Sequence, residues 1–271
     1  MIIAKTIGQD FGNECNRGAV GIVHSVFQRA ANIRINSSGR ILTITIDEID
    51  NFTANCALVV DGKDLTEKLY VNQRVLFSPD VVFLNGTPFI GGLAKAKIWS
   101  RISNDEIMRL SVSSEKQNIN DILLFMKSKL SHKSKWLDEF YSKTLNEIEV
   151  EHLIGLGEGL TPSGDDFIVG IIHGFHFLEI LSSQKLDIFT RFKNRVSYLK
   201  NQTGTISRHY IDYALERQWG SNSEGIIKSI IQNDADQLEY YLSNKLAIGG
   251  SSGYDESFGI IYAFEHFFDL I

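Results

Sequence analysis

Residues 155–170 read GLGEGLTPSGDDFIVG, and the chain runs on from Phe167 as FIVGIIHGFHFLEIL to Leu181. Four glycines and one of only three prolines crowd into 155–167, ahead of two adjacent acids and an apolar run. The pattern reads as a pliable loop delivering the chain into a buried helix. Glycine supplies unusual dihedrals, Ser and Asp are capping residues, and the first amides of a helix lack partners within it. Such a helix start attracts anions. Asp166 and Gly170, four residues apart, share one helical face, and His173 follows on the same stripe.

The same pattern returns near the other end. SGDDFIVGI at 163–171 matches SGYDESFGI at 252–260 through Ser163/Ser252, Gly164/Gly253, Asp166/Asp255, Gly170/Gly259 and Ile171/Ile260. Glycines precede both copies, Gly159 in one and Gly249-Gly250 in the other, and both lead into apolar helical text. Gly170 and Gly259 leave room for a close helix–helix approach or for a ligand against the backbone.

Two familiar motifs do not fit. A phosphate loop carries Lys and Ser/Thr after its second glycine, and Asp165 and Asp166 stand there instead. GLGEG has the wrong spacing for a dinucleotide fingerprint and does not follow a strand pattern. Taken singly, Asp165, Asp166 and Asp255 read as helix caps and the glycines as packing devices. The repeat favours a functional reading for Ser163, Asp165, Asp166, Ser252 and Asp255 as a set: two like loops, related by a pseudo-twofold, enclose one small polar ligand. The acids would hold a metal ion, orient hydroxyls or accept amide N–H groups.

Around these loops the chain changes grammar once. From Ala19 to about Arg101 it holds short runs rich in β-branched and aromatic residues: AVGIVHSVF, RILTITID, CALVV, RVLF, VVFLNG and AKAKIWS. Turn signals at Ser38-Gly39, Asp61-Gly62, Ser78-Pro79 and Asn85-Gly86 separate them. These predict an antiparallel barrel or sandwich. After Asn104 the period is helical. NDILLFMKSKL opens on an Asn/Asp cap signal, and SKWLDEFYSKTLNEI puts Trp136, Phe140, Tyr141, Leu145 and Ile148 on one face. LDIFTRFKNRVSYL, TISRHYIDYAL, SEGIIKSII, ADQLEYYLSNKL and DESFGIIYAFEHFF continue the helical pattern. The fold class is α+β: a β-rich domain over residues 1–110, then a mainly helical domain over 111–271 that carries both Gly-Ser-Asp loops.

The 271 residues, 43% of them hydrophobic, suffice for one large core or two ordinary ones. A net charge of −6 with scattered Lys and Arg argues against nucleic acid or an anionic membrane as partner. Cys15 and Cys56 belong to no CxxC or Cys/His cluster, so structural zinc and thiol chemistry are unsupported and a reducing, cytoplasmic setting fits. MIIAKTIGQDFG lacks the apolar core of a signal peptide, and the longest apolar runs are too short to span a bilayer.

At residues 155–170 the chain resembles the AllH-type subunit of bacterial oxamate carbamoyltransferase, and the likeness covers most of the chain. GGSSGYDESFG at 249–259 is similar to that family's second loop, and TGTISRHYIDYA at 203–214 stands where a third Thr/Ser-containing helix is expected. The resemblance implies a transferase of anaerobic allantoin and purine catabolism that interconverts oxalurate plus phosphate with oxamate plus carbamoyl phosphate. It implies partnership with further carbamoyltransferase subunits. It carries over Gly159, Thr161, Ser163, Gly164, Asp165, Asp166, Ser252, Gly253 and Asp255 as motif positions, without assigned roles.

The chemistry suits such loops. Carbamoyl transfer builds negative charge on oxygen at a tetrahedral centre, where helix-start amides stabilise it. Thr161 and Ser163 are candidates for bonding phosphate or carboxylate, and Asp166 for a base or a Mg²⁺ ligand. Arg208 and His209 are candidates for anion binding and proton transfer, although an Arg-His pair more often lies on a solvated helix face. His173 and His176 have metal-pair spacing but lack a further ligand motif, so burial with hydrogen bonds is the better reading. Arg17 is a surface residue or an anion grip. LNGTPFIGG at 84–92 reads as a tight turn or one wall of a site. The helix over 254–268, with Tyr254, Phe258, Tyr262, Phe264, Phe267 and Phe268, is core with an apolar remainder for a partner subunit. Two further classes compete with the catalytic reading: a scaffold or regulatory subunit whose loops are structural, and a separate metal-assisted phosphotransferase.

Overall fold

The structure is a computed structural model that describes residues 1–46, 53, 55–59, 64–110, 116–130, 137–247 and 250–267. The expectations placed on Asp61-Gly62, Trp136, Gly249 and Phe268 fall outside these residues. The chain divides into two compact units, Met1–Arg101 and Ile102–Ile271.

The first unit holds β1 (Ile2–Gly8), α1 (Gln9–Asn16), β2 (Val20–Val26), β3 (Ala30–Ile35), β4 (Ile41–Thr45), β5 (Cys56–Val59), β6 (Arg74–Phe77), β7 (Val81–Leu84), β8 (Thr87–Gly91) and β9 (Lys97–Trp99). The strands are ordered β5-β4-β3-β2-β6-β7-β8-β1, and β1 pairs back onto β5 through Ala4↔Val59, Thr6↔Leu58 and Ile7↔Ala57. An eight-stranded barrel results. Past β8 the same edge of β1 takes β9, through Thr6↔Lys97 to Gly8↔Trp99. Closure leaves most strands without a free edge.

The barrel is not wholly antiparallel, because β1 runs parallel to β8 and β9, and β4 parallel to β5. Three strands escaped the sequence reading. β1 has the β-branched residues Ile2, Ile3, Thr6 and Ile7 but precedes the stretch read as strands, β3 (AANIRI) has only two strand formers, and TPFIG in 84–92 is β8 rather than part of a turn. The turn itself is the two-residue Asn85-Gly86 hairpin between β7 and β8, with both φ angles positive as a primed turn requires. Inside, alternate residues such as Ile33, Ile44, Val75 and Val82 fill the barrel, and Phe11 of α1 meets Phe77 edge-on with ring centroids 5.5 Å apart.

The second unit holds α2 (Asn104–Met108), α3 (Lys116–Lys129), α4 (Leu137–Tyr141), α5 (Val150–Leu153), α6 (Ser163–Ser182), α7 (Asp187–Leu199), α8 (Thr205–Leu215), α9 (Ser221–Gln232), α10 (Ala235–Leu246) and α11 (Ser252–Phe267). Both copies of the repeat start a helix at their serine, Ser163 for α6 and Ser252 for α11. α6 is buried from Ser163 to Ile180, its polar residues included, so other elements surround it. α11 packs along it, with Phe167 and Tyr262 in edge-on contact at 5.6 Å. Phe258, Tyr262, Phe264 and Phe267 belong to this core, and Tyr254 is half-buried.

Two helical readings need correction. Residues 137–148 do not form one helix: α4 ends at Tyr141, and the Thr144 amide and hydroxyl then bond the Glu147 carboxylate at 2.9 and 2.8 Å. That local side-chain turn replaces helical bonding. α3 begins at Lys116, so Asn120 and Asp121 lie inside it rather than at its cap.

Candidate functional site

The pairing of α6 with α11 decides the geometry. A methyl group built on Gly170 would overlap the Glu256 carbonyl oxygen, and one on Gly259 would overlap the Phe167 carbonyl oxygen. Glu256 and Phe167 are equivalent positions of the repeat, so the two clashes are images of one another. Gly164 and Gly253 are matched in the same way, each seated against a carbonyl of the preceding helix, Leu153 for one and Lys245 for the other. Of the two uses left open for these glycines, close packing is the one realised. The helices cross with near-twofold symmetry, and their starts meet.

At the meeting point four hydroxyls pair across the symmetry. Thr161 Oγ1 lies 2.8 Å from Ser252 Oγ, and Ser163 Oγ lies 3.1 Å from Ser251 Oγ. Ser251 is exposed, Thr161 and Ser252 are half-buried, and Ser163 is buried below them. Residues 157–160 are exposed beside this cluster, with Gly155, Gly157 and Gly159 all at positive φ.

The helix-start amides are less available than the sequence implies. Gly164 N donates to the Leu156 carbonyl at 2.9 Å, and Asp165 N and Asp166 N both turn back to the Pro162 carbonyl. Pro162 stands at the N-cap and makes no side-chain hydrogen bond. The ready polar groups at the junction are therefore side-chain hydroxyls.

Asp165 and Asp166 are neighbours with opposite surroundings, and neither caps α6. Asp165 is 1% exposed. Its Oδ1 accepts from Gly155 N at 2.9 Å, and its Oδ2 from Thr203 Oγ1 at 2.5 Å and Ser207 Oγ at 2.6 Å. It joins the glycine loop to the start of α8, which is what the TGTIS stretch does in this fold. Asp166 is 7% exposed, and its Oδ2 is buried with no hydrogen-bond partner among the described residues. Burial pushes its carboxyl well above the usual carboxylate range. The Ser252 hydrogen bond pulls it back, the charges of Glu256 and Asp255 raise it further, and Lys245 lowers it. Asp255, the equivalent acid on α11, is fully buried.

Behind the acids lies a half-buried polar knot that the sequence reading did not single out. Glu256 is paired with Lys245 of α10, and its Oε1 takes the Ser223 hydroxyl of α9 at 2.5 Å and His173 Nδ1 of α6 at 3.2 Å. Burial opposes its charge, but Lys245 and then His173 hold its carboxyl well below the ordinary value. A signal was there: Glu256 occupies the repeat position of the wholly buried Phe167. Thr203, Ser207 and Ser251 were likewise not singled out as site residues.

The remaining candidates are placed as follows. His173 Nε2 faces the Gln218 carbonyl at 3.0 Å, while His176 Nε2 faces Lys193 Nζ at 3.1 Å. Burial, helped by the Lys193 charge, pushes His176 down to about 2. These two rings serve separate partners. His209 is buried against Tyr213, with ring centroids 4.5 Å apart, and Arg208 turns to Asn201 Oδ1 at 3.4 Å. Arg17 pairs with Glu14 in the barrel unit. Among the described residues no group of three or more His, Cys, Asp or Glu side chains is placed to hold a metal ion. Asp165 is closed by three protein donors, which leaves it no free oxygen for a Mg²⁺ ion, and no step is derived through one.

A family model described as oxamate carbamoyltransferase subunit AllH matches residues 153–264, from the end of α5 through α11. A second, described as the AllH family N-terminal domain, matches residues 3–97, the barrel. Together they take in most of the chain. The chain belongs to the AllH family. AllH is described as a subunit, so membership places the chain with a multisubunit oxamate carbamoyltransferase. The paired helix starts, the Asp165 brace and the Glu256 knot all fall within the AllH match. No solved structure matches this AllH chain. Among its described residues no helix is long and apolar enough to cross a membrane.

Proposed function

We propose that this chain is a catalytic subunit of a cytoplasmic oxamate carbamoyltransferase in allantoin and purine catabolism, and that the junction of α6 and α11 binds its small anionic substrates, carbamoyl phosphate and oxamate. The observation that carries the reading is the convergence of the two Gly-Ser-Asp helix starts into one cluster of hydroxyls, Thr161 with Ser252 and Ser163 with Ser251. A purely structural pair of loops has no need to bring four hydroxyls to a partly exposed junction above a buried acid.

In the phosphorolytic direction, a phosphate oxygen attacks the carbamoyl carbon of oxalurate. A C–O bond forms, the C–N bond to the oxamate nitrogen breaks, and that nitrogen takes the proton given up by the attacking hydrogen phosphate and leaves as the oxamate amide. Charge gathers on the carbamoyl oxygen in between, and hydroxyl donors fixed in advance stabilise it without reorganising. Thr161, Ser163 and Ser252 are the donors of this chain. Gly159 belongs to the exposed loop that would cover the ligand, and Gly164 and Gly253 let the helix starts approach. Asp165 is a positioning residue, holding loop and α8 together through its three donors. Arg208 and His209, on the first turns of α8, are the groups assigned to steering an anion. Other carbamoyltransferase subunits complete the assembly.

The test is reconstitution with the partner subunits and measurement of carbamoyl phosphate formed from oxalurate and phosphate. Replacing both Thr161→Val and Ser252→Ala removes two donors while keeping shape. The expected result is a loss of at least about tenfold, or about 1.4 kcal/mol of transition-state stabilisation, with the complex still assembled. An unchanged rate in the intact complex would give this subunit the scaffolding role instead.

A further inference from the structure

The sequence raised a contradiction: a site for anions is built around acids. The placement of Asp166 resolves it. The residue is 7% exposed, and its Oδ2 is buried with no hydrogen-bond partner among the described residues. A buried carboxylate oxygen without a donor is among the costliest groups to fold, whereas a carboxylic acid O–H in that place is a donor awaiting an acceptor. The cation that bears on Asp166 is Lys245, and Lys245 is already paired with Glu256. Asp255 and Glu256 add negative charge from α11. Two carboxylates crowded into one dry site do not both ionise readily.

We propose that Asp166 meets its ligand as a neutral carboxylic acid, donating a hydrogen bond from Oδ2 to an anionic oxygen of the bound substrate. The assignment deepens the function proposed above and rests on it for the nature of the ligand. It replaces the base or metal-ligand role that the sequence offers for Asp166. No bond is made or broken at Asp166, which keeps its proton throughout. An acid held neutral in this way acts as a donor at neutral pH.

The surroundings set the pH response. On its own helix Asp165 is closed by its three donors and His173 is turned to Glu256. On α8 Arg208 is turned to Asn201 and His209 is buried against Tyr213, and Glu158 in the loop is exposed. The folded protein binds this proton more tightly than the unfolded chain. Stability therefore falls as pH rises from the ordinary carboxyl value of 3.8 towards the raised one, and donor function is lost above it.

Two measurements decide the matter. Infrared difference spectra of the isolated chain, wild type minus Asp166→Asn, are expected to show a protonated-carboxyl C=O band at pH 7. Carboxyl-carbon NMR of ¹³C-aspartate-labelled wild type reads the same proton without a variant. In the reconstituted complex, Asp166→Ala should lower carbamoyl transfer by about a hundredfold, as loss of an oxyanion donor does. Asp166→Asn keeps a neutral donor. It should retain about tenfold more activity than Asp166→Ala and lose the alkaline limb of the pH profile. Absence of the protonated band, or equal damage from Asn and Ala, overturns the assignment. The spectroscopic arm needs no activity, so its failure is separable from that of the proposed function, which the Thr161/Ser252 double variant tests.

Discussion

Asp165 and Asp166 show how little a residue's type says about its job. They are adjacent in one helical turn, yet one is an acceptor closed by Gly155, Thr203 and Ser207, and the other keeps a buried oxygen with no partner among the described residues. Lys245 and Glu256 carry the same lesson in the core. Their pair is half-buried, and removing one partner leaves the other charged and poorly solvated, which costs up to about 3 kcal/mol. Lys245→Met is therefore expected to lower unfolding stability by about that much at pH 7, read by urea titration. Glu256 has a depressed value in the fold, so its contribution is complete above its ordinary 4.5 and is lost as pH falls towards the folded value. The gap between wild type and variant should be widest near neutrality and close in acid. An equal gap at all pH values would mean that Lys245 contributes packing alone. The pair was illegible in the sequence because Lys245 and Glu256 face each other only once α10 and α11 are folded together.

Elements were legible where local pattern and tertiary demand agree. ADQLEYYLSNKL is α10 from its first residue to its last, with Asp234 capping at Gln237 N, and Asn85-Gly86 made its hairpin. Disagreement came where neighbours overrode propensity. AANIRI is a poor strand by composition, but it lies between β2 and β4 and is paired on both sides. The α6–α11 pair rests on one feature the repeat did reveal, the matched Gly170 and Gly259. Alanine at either forces the helix axes apart, because the obstructing atoms are backbone carbonyls that cannot swing away. Overpacking of this kind costs about 1–3 kcal/mol. Gly170→Ala and Gly259→Ala should each lower the melting temperature by several degrees, and by similar amounts, as the symmetry requires. A neutral effect at one site alone would deny the equivalence of the two helices.

At the scale of the whole molecule, each unit has its own buried cluster: Phe11, Ile33 and Phe77 among others in the barrel, Phe167, Phe175 and Tyr262 in the helical unit. A unit with a closed core folds by itself. Residues 1–101 and 102–271, expressed separately, are expected to give folded β-type and helical circular dichroism spectra, each with a cooperative melt. A fragment that is soluble but unstructured would contradict the independence of its core. What the sequence determined alone is local and periodic: the change from strand to helix grammar, the twin Gly-Ser-Asp helix starts, the tight turns, and the kinship with AllH. Those properties depend on residues close together in the chain. Closure of the barrel through β1 and β5, the pairing of Glu256 with Lys245, and the opposite fates of two neighbouring aspartates were decided by the tertiary structure. Each depends on which distant backbone or side chain arrives to pair a strand edge, satisfy a donor or exclude water, and no local pattern records that arrival.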